Sequence, residues 1–363
     1  MRRVVRWAFV FIAATGCAAP ALQTREATGP VQLTPCAIPG SDTDARCATY
    51  RVFEDRAAKA GRVIPLKIVV LPALAASPAP DPIVVLAGGP GRDRGAPAQG
   101  AFGDLLPAEK IRACRRDLEK TADLRLYTTT IAMDDLDEVR AALGYEQINV
   151  WGVSYGSLAA LQYLRQHPAR VRSLALAGVA TPAQKLPLQF AAGAQAALDV
   201  LVTDCAADHR AARGDWLPFA RATRSSLGGR SLAVALGMYL TVTCSESVAT
   251  ISEDDIVRES RDTFVGEART RRHVRACREW PRGAVPREFH APVAAAAPVL
   301  MLSGERDPAT PARDLGVGCI ERLRRPPFAT ETDAAGLPRT PANPARPATV
   351  PGAQPEGREP DDD

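Results

Sequence analysis

Gln147-Ile148-Asn149-Val150-Trp151-Gly152-Val153-Ser154-Tyr155-Gly156 is the stretch on which the reading of this chain turns. Its first five residues form a β-prone run. Residues 157–167, Ser-Leu-Ala-Ala-Leu-Gln-Tyr-Leu-Arg-Gln-His, then place apolar side chains at helical spacing until Pro168. A Gly-x-Ser-x-Gly run between strand and helix is how a sharp turn presents a serine hydroxyl as a nucleophile. The flanking glycines admit the strained turn and leave room for a substrate. Ser154 is therefore the candidate nucleophile, and an ordinary glycine-rich turn is the alternative. Residues 171–179 supply a further strand after the helix, which raises the weight of the first reading.

Outward from the elbow the same architecture continues. Residues 62–72 are dense in β-branched side chains, and Ile83-Val84-Val85-Leu86 is a continuous apolar run of the kind buried on both faces in a parallel sheet. That run leads into Ala87-Gly88-Gly89-Pro90-Gly91, whose backbone N–H groups are free to bind a developing oxyanion; a plain tight turn is the alternative. Residues 107–121 and 131–143 read as helices, the second with N-cap candidates at Thr128, Thr129 and Thr130 and a stop at Gly144. Residues 184–282 read as helical throughout, which predicts a lid or cap inserted over the sheet. Val299-Leu300-Met301-Leu302 is a late buried strand, and Asp307 follows it at the place where an acid can orient a histidine. Beyond residue 324 the composition turns to Pro, Gly, Arg and acid, which predicts a disordered tail over 324–363.

With 363 residues and 46% apolar content the chain is long enough for a large α/β core. A net charge of +4 and 5% aromatic residues, with no Lys/Arg-rich block, argue against nucleic acid as a partner. The N-terminus carries a basic start, Met1 to Arg6, then an apolar core from Trp7 to Ala14 and small residues before Cys17. This pattern predicts an export signal over residues 1–17. Gly16-Cys17 also resembles a bacterial lipobox, so lipid attachment at Cys17 to a membrane and simple secretion both stay open, and the expected location is the periplasm, cell envelope or medium.

Export makes the other cysteines disulfide candidates, with Cys36 to Cys47 the best local pair and Cys244 to Cys277 the next. No C-x-x-C pair or His/Cys cluster is present, so neither a metal nor another cofactor is expected.

Taken in order, these motifs resemble the exported α/β-hydrolases of the proline iminopeptidase and tripeptidyl aminopeptidase group, peptidase family S33. Besides the elbow, Leu86-Ala87-Gly88-Gly89-Pro90-Gly91 is similar to that family's H-G-G-P-G loop, with alanine at the histidine position. Tyr127-Thr128-Thr129-Thr130 with Asp134-Asp135-Leu136, and Cys277-Arg278-Glu279-Trp280-Pro281, also match. Ser303 to Pro311 resembles the acid motif S-G-x-x-D-P-x-T-P. The resemblance implies an α/β-hydrolase fold with a helical cap: core over 36–183 and 283–323, cap over 184–282. It implies Ser154 as nucleophile, Asp307 as triad acid, and the N–H groups of Gly89 and Tyr155 as oxyanion donors. It also implies short peptides or amides as substrates, cleaved through an acyl-enzyme. A carboxylate pairing with the substrate ammonium is expected in such a cap. Glu246 is the candidate, with a solvated acid beside a disulfide as the alternative.

Two departures stand out. The family order is Ser, Asp, His, yet the four histidines, His167, His209, His273 and His290, all precede Asp307. No base follows the acid, and His290 is a poor substitute because it lies at the far end of the last strand. In addition, the buried strand and turn that the family places after Gly91 find no counterpart before Pro107. The sheet is thus expected to lack one strand and the C-terminal strand and histidine segment. The function read from the sequence is a serine aminopeptidase weakened by its missing base. An esterase of the same fold and a non-catalytic peptide-binding lipoprotein are the alternatives. Residue preference and oligomeric state do not follow from the sequence.

Overall fold

The β-branched runs become the strands of one sheet. The computed structural model describes residues 5–11, 31–75, 77–90, 106–207, 213–217, 235–294, 296–304 and 307–311. The strands are β1 Val5–Phe11, β2 Thr34–Ile38, β3 Ser41–Phe53, β4 Val63–Pro72, β5 Ile83–Leu86, β6 Ile148–Val153, β7 Val171–Ala177 and β8 Val299–Leu302. They lie in the order β2-β3-β4-β1-β5-β6-β7-β8. From β1 to β8 across the sheet the pairing is parallel, whereas β2, β3 and β4 pair antiparallel, as does β4 with β1. The strand expected after Gly91 would fall among residues 91–105, outside the described residues. Between β4 and β5 lies β1, from the segment whose composition predicts an export signal.

The α-helices that bear on the site are α1 Ala108–Glu119, α2 Thr129–Ala142, α3 Tyr155–Gln166, α4 Phe190–Ala207, α5 Leu236–Glu246, α6 Glu253–Ser260 and α7 Ala268–Arg278. The apolar stripe of α3 (Leu158, Leu161, Leu164) and that of α2 (Met133, Leu136) bury against Val84, Val150, Leu174 and Leu176 of the sheet. Each such leucine contributes about 1.5–3 kcal/mol by leaving water. On the opposite face the strands β6 and β8 are exposed: Trp151 is 43% exposed and Leu300 and Leu302 are 53% and 51% exposed. A parallel sheet is ordinarily covered on both sides.

The helices of 184–282 pack as part of a single compact unit covering residues 1–325. Leu240 and Cys244 of α5 and Cys277 of α7 meet Ile111 of α1 and the buried Trp280. Trp280 also donates its indole N–H to Thr241 Oγ1 at 2.9 Å. Both expected disulfides are formed. Cys36–Cys47 staples β2 to β3, and Cys244–Cys277 ties α5 to α7 across 33 residues of sequence. In the chain-entropy picture a loop of that length stabilises the fold by about 3–4 kcal/mol. Cys17, Cys319 and the tail from residue 324 lie outside the described residues. Cys114 carries a free thiol.

Candidate active site

The elbow forms because β6 ends at Val153 and α3 begins at Tyr155, which leaves Ser154 alone to reverse the chain. Ser154 takes φ 55° and ψ −124°, a left-handed conformation that a residue with a Cβ adopts only when its surroundings enforce it. Its N–H donates to Ala177 O at 2.9 Å, which ties it to the end of β7. Ser157 Oγ donates to Ser154 O at 2.5 Å and accepts from Ala180 N at 2.8 Å, a buried brace behind the turn. The glycines of the motif are required by contact. A Cβ on Gly152 would lie 2.5 Å from Gly156 O, and one on Gly156 would lie 1.9 Å from Leu86 O. The helix start is thus pressed directly onto the end of β5.

That close approach sets the loop after β5 beside the serine. A Cβ on Gly88 would sit 3.1 Å from Ser154 Cβ and 3.6 Å from its Oγ. Gly89 has φ 135°, a value glycine tolerates. Tyr155 is the first residue of α3, so its N–H has no intrahelical acceptor. The loop and the helix start thus flank Ser154 from two sides, as an oxyanion site built from Gly89 and Tyr155 requires.

Asp307 stands beyond the end of β8. A Cβ on Gly178, at the end of β7, would lie 3.5 Å from Asp307 Oδ2. Ser154 and Asp307 therefore stand on either side of strand β7 at the carboxyl edge of the sheet. Asp307 Oδ1 accepts from Ala309 N at 2.8 Å and Thr310 N at 3.0 Å, and Oδ2 accepts from Thr310 Oγ1 at 2.6 Å. Partial burial pushes its carboxyl up, yet these bonds, that from the Thr310 hydroxyl first, hold it below the usual range. It is an ionised acid in waiting.

The histidines are engaged elsewhere. His167 closes α3 at the end remote from Ser154, with Nε2 3.0 Å from Asp134 Oδ1. His273 is buried between the Tyr239 hydroxyl, 2.7 Å from Nε2, and Arg269 O, 2.8 Å from Nδ1. Desolvation lowers its pKa to about 4. His290 Nδ1 donates to Pro182 O at 3.0 Å, and His209 lies outside the described residues. Among the described residues no histidine bonds to Ser154 or Asp307.

A family model for the alpha/beta hydrolase fold matches residues 88–319, well over half of the chain. The chain belongs to the α/β-hydrolase fold family. Its similarities run to the proline iminopeptidase group. A probable proline iminopeptidase of Streptomyces coelicolor is 39% identical over 108 residues, 28% of this chain and 33% of that protein. A proline iminopeptidase of Neisseria gonorrhoeae is 35% identical over 101 residues, 27% of this chain and 32% of that one. The serine protease Hip1 of Mycobacterium tuberculosis is 37% identical over 99 residues, 26% of this chain and 19% of that one. The matched stretch thus spans about a third or less of these relatives. Among solved structures, the proline iminopeptidase of Mycobacterium smegmatis aligns with 80% of this chain and 86% of its own, at 17% identity and a TM-score of 0.31.

In this α/β-hydrolase Glu246 is neither a solvated acid nor an open receptor for an ammonium group. It is 1% exposed at the end of α5. Oε1 accepts from Thr129 N at 2.5 Å and Oε2 from Thr129 Oγ1 at 2.7 Å, while Thr129 Oγ1 lies 2.7 Å from the Tyr155 hydroxyl. Both oxygens accept bonds from Thr129. The carboxylate caps α2 in place of Thr128, whose side chain makes no capping bond. Sequence reading misses this because the anion comes from a residue 117 positions away.

Burial pushes the Glu246 carboxyl up to about 7, against the two Thr129 bonds. Burial likewise raises Asp135 to about 6, opposed by Arg56, which pairs with both Asp135 and Glu138. An acid raised on folding binds more protons folded than unfolded, so stability falls as pH rises from the unfolded value of 4.5 to the folded one of about 7. Glu246→Gln is expected to shrink that fall between pH 4.5 and 7 while leaving the Asp135 contribution. Melting temperatures of parent and variant at pH 5 and pH 8 check this, and equal slopes would count against it. Among the described residues no cluster of His, Cys, Asp and Glu is arranged to hold a metal, and no helix is long and apolar enough to cross a membrane.

Proposed function

We propose that this α/β-hydrolase is an exported serine peptidase of the aminopeptidase kind whose turnover is weak because, among the described residues, no base reaches its nucleophile. The observation that carries the reading is Ser154 on a strained elbow, with the Gly88-Gly89 loop on one side and Asp307 one strand beyond on the other. In the complete reaction Ser154 Oγ attacks a peptide carbonyl. Its proton passes to a base and then to the leaving amine, and water releases the acyl group. The Gly89 and Tyr155 N–H groups would hold the oxyanion. Without a base the hydroxyl must lose its proton to water, so acylation is the slow step. The relatives named proline iminopeptidase support an aminopeptidase over other hydrolases.

Export is supported by the basic and apolar pattern before Cys17 and by two disulfides that need an oxidising compartment; lipid attachment at Cys17 belongs to the same proposal. The engagement of the described histidines elsewhere favours one second reading, a peptide-binding protein that does not cleave. Purified full chain is expected to release amine slowly from N-terminally free aminoacyl amides, and Ser154→Ala to abolish that release. Short acyl esters cleaved while amides are untouched would turn the assignment to an esterase. Peptide binding that survives Ser154→Ala with no turnover in either protein would establish the non-catalytic reading.

A further inference from the structure

Strand β1 joins two observations that neither the hydrolase site nor the export pattern uses. Without it the sheet falls into two ladders, β2-β3-β4 and β5-β6-β7-β8, with no pairing between them. With β1 in place, β4 and β5 stand two inter-strand spacings apart, about 9–10 Å, too far to bond directly and wide enough for one strand. The slot is also directional. Because β1 runs antiparallel to β4 and parallel to β5, only one chain direction serves both walls.

The register runs Phe9 opposite Val69 and Val85, Ala8 opposite Val70 and Val84, and Trp7 opposite Leu71 and Ile83. The walls are apolar: Ile68, Val70 and Val84 are all 3% exposed or less. A strand in such a place must be apolar along its length. Val5, Trp7, Phe9, Val10 and Phe11 are strand-favouring types, and the one charge, Arg6, falls where the pairing with β4 shifts register between Val5 and Trp7.

We propose that the space between β4 and β5 is a strand-acceptor slot and that the chain's own Val5–Phe11 is its occupant. The unprocessed chain then closes its own sheet, and removal of the N-terminal signal opens it. Trp7 to Phe11 of this strand also belong to the apolar core of the expected export signal, so the two fates exclude one another. While the segment is held as a leader the sheet is split, with unpaired N–H and C=O groups on both walls. When it is inserted, the two halves join. This holds whether or not Ser154 is catalytic, so its test is independent of the peptidase reading.

The test uses the full chain and Ala8→Pro, which removes a ladder N–H in the middle of β1. Ala18→Pro, beyond the segment, is the control. Amide hydrogen exchange of β4 and β5 is expected to quicken on the order of a hundredfold in Ala8→Pro and to stay unchanged in Ala18→Pro. Adding a peptide of residues 4–12 to Ala8→Pro is expected to restore the protection saturably, and the same peptide carrying Ala8→Pro is not. Should Ala8→Pro fail to fold, restoration of its cooperative melting by the unsubstituted peptide alone supports the proposal equally. Exchange in β4 and β5 unchanged by Ala8→Pro, or rescue by both peptides alike, would overturn the proposal.

Discussion

A fluorophosphonate probe is expected to label Ser154 about six orders of magnitude more slowly than it labels a triad-complete proline iminopeptidase, the loss in turnover that removing the triad histidine brings. The expectation follows from what is in place and what is not. The elbow holds Ser154 at φ 55°, the Gly88 backbone lies against it, and Asp307 is ionised and fixed by three hydrogen bonds on the far side of β7. His167, His273 and His290 each make their bonds elsewhere. Labelling therefore tests the base and not the fold. A rate within tenfold of the complete enzyme's, lost in Ser154→Ala, would show that a base does reach the hydroxyl. His209→Gln and His290→Gln would then identify it. Slow labelling that added imidazole accelerates would place the defect at the missing base.

Gly156→Ala is expected to cost about 3–5 kcal/mol of stability, at the upper end of what overpacking does. The added Cβ would lie 1.9 Å from Leu86 O, 2.5 Å from Leu86 C and 2.8 Å from Ala87 O, all backbone atoms. No rotamer change relieves such a contact. Either α3 lifts from β5 or the glycine loop moves, and both displace Ser154 from the proposed oxyanion donors. Gly144→Ala provides the contrast, since a Cβ there meets nothing within 4 Å and only its φ of 79° is unfavourable. That strain is worth about 1–2 kcal/mol. Urea midpoints of the two variants separate the contributions, and equal losses would show that the elbow is looser than its contacts indicate.

The parts of this protein that can be read from the chain are those whose signals are local. β4, β5, β6, β7 and β8 are short apolar runs, α1 to α3 have helical spacing with recognisable ends, and the elbow and acid motifs are contiguous. Both described disulfides can be paired on spacing and compartment. The β2–β3 hairpin is hard to see in sequence, because its inward side chains Ala48, Tyr50 and Val52 alternate with Thr49 and Arg51 and dilute the apolar signal. Glu246 misleads for a related reason. A carboxylate two residues from Cys244 looks exposed in sequence, and only the docking of α5 onto the start of α2 buries it.

Sequence alone determined the α/β class, the serine elbow and the order of its motifs, because turns, caps and buried strands are written in neighbouring residues. It also determined that no histidine follows Asp307 in this chain. Tertiary structure decided which groups meet: Ser154 and Asp307 on either side of β7, Glu246 on Thr129, and Val5–Phe11 between β4 and β5. The physical reason is that strand pairing and helix capping satisfy backbone groups with whatever segment reaches them, and distance along the chain does not enter that requirement.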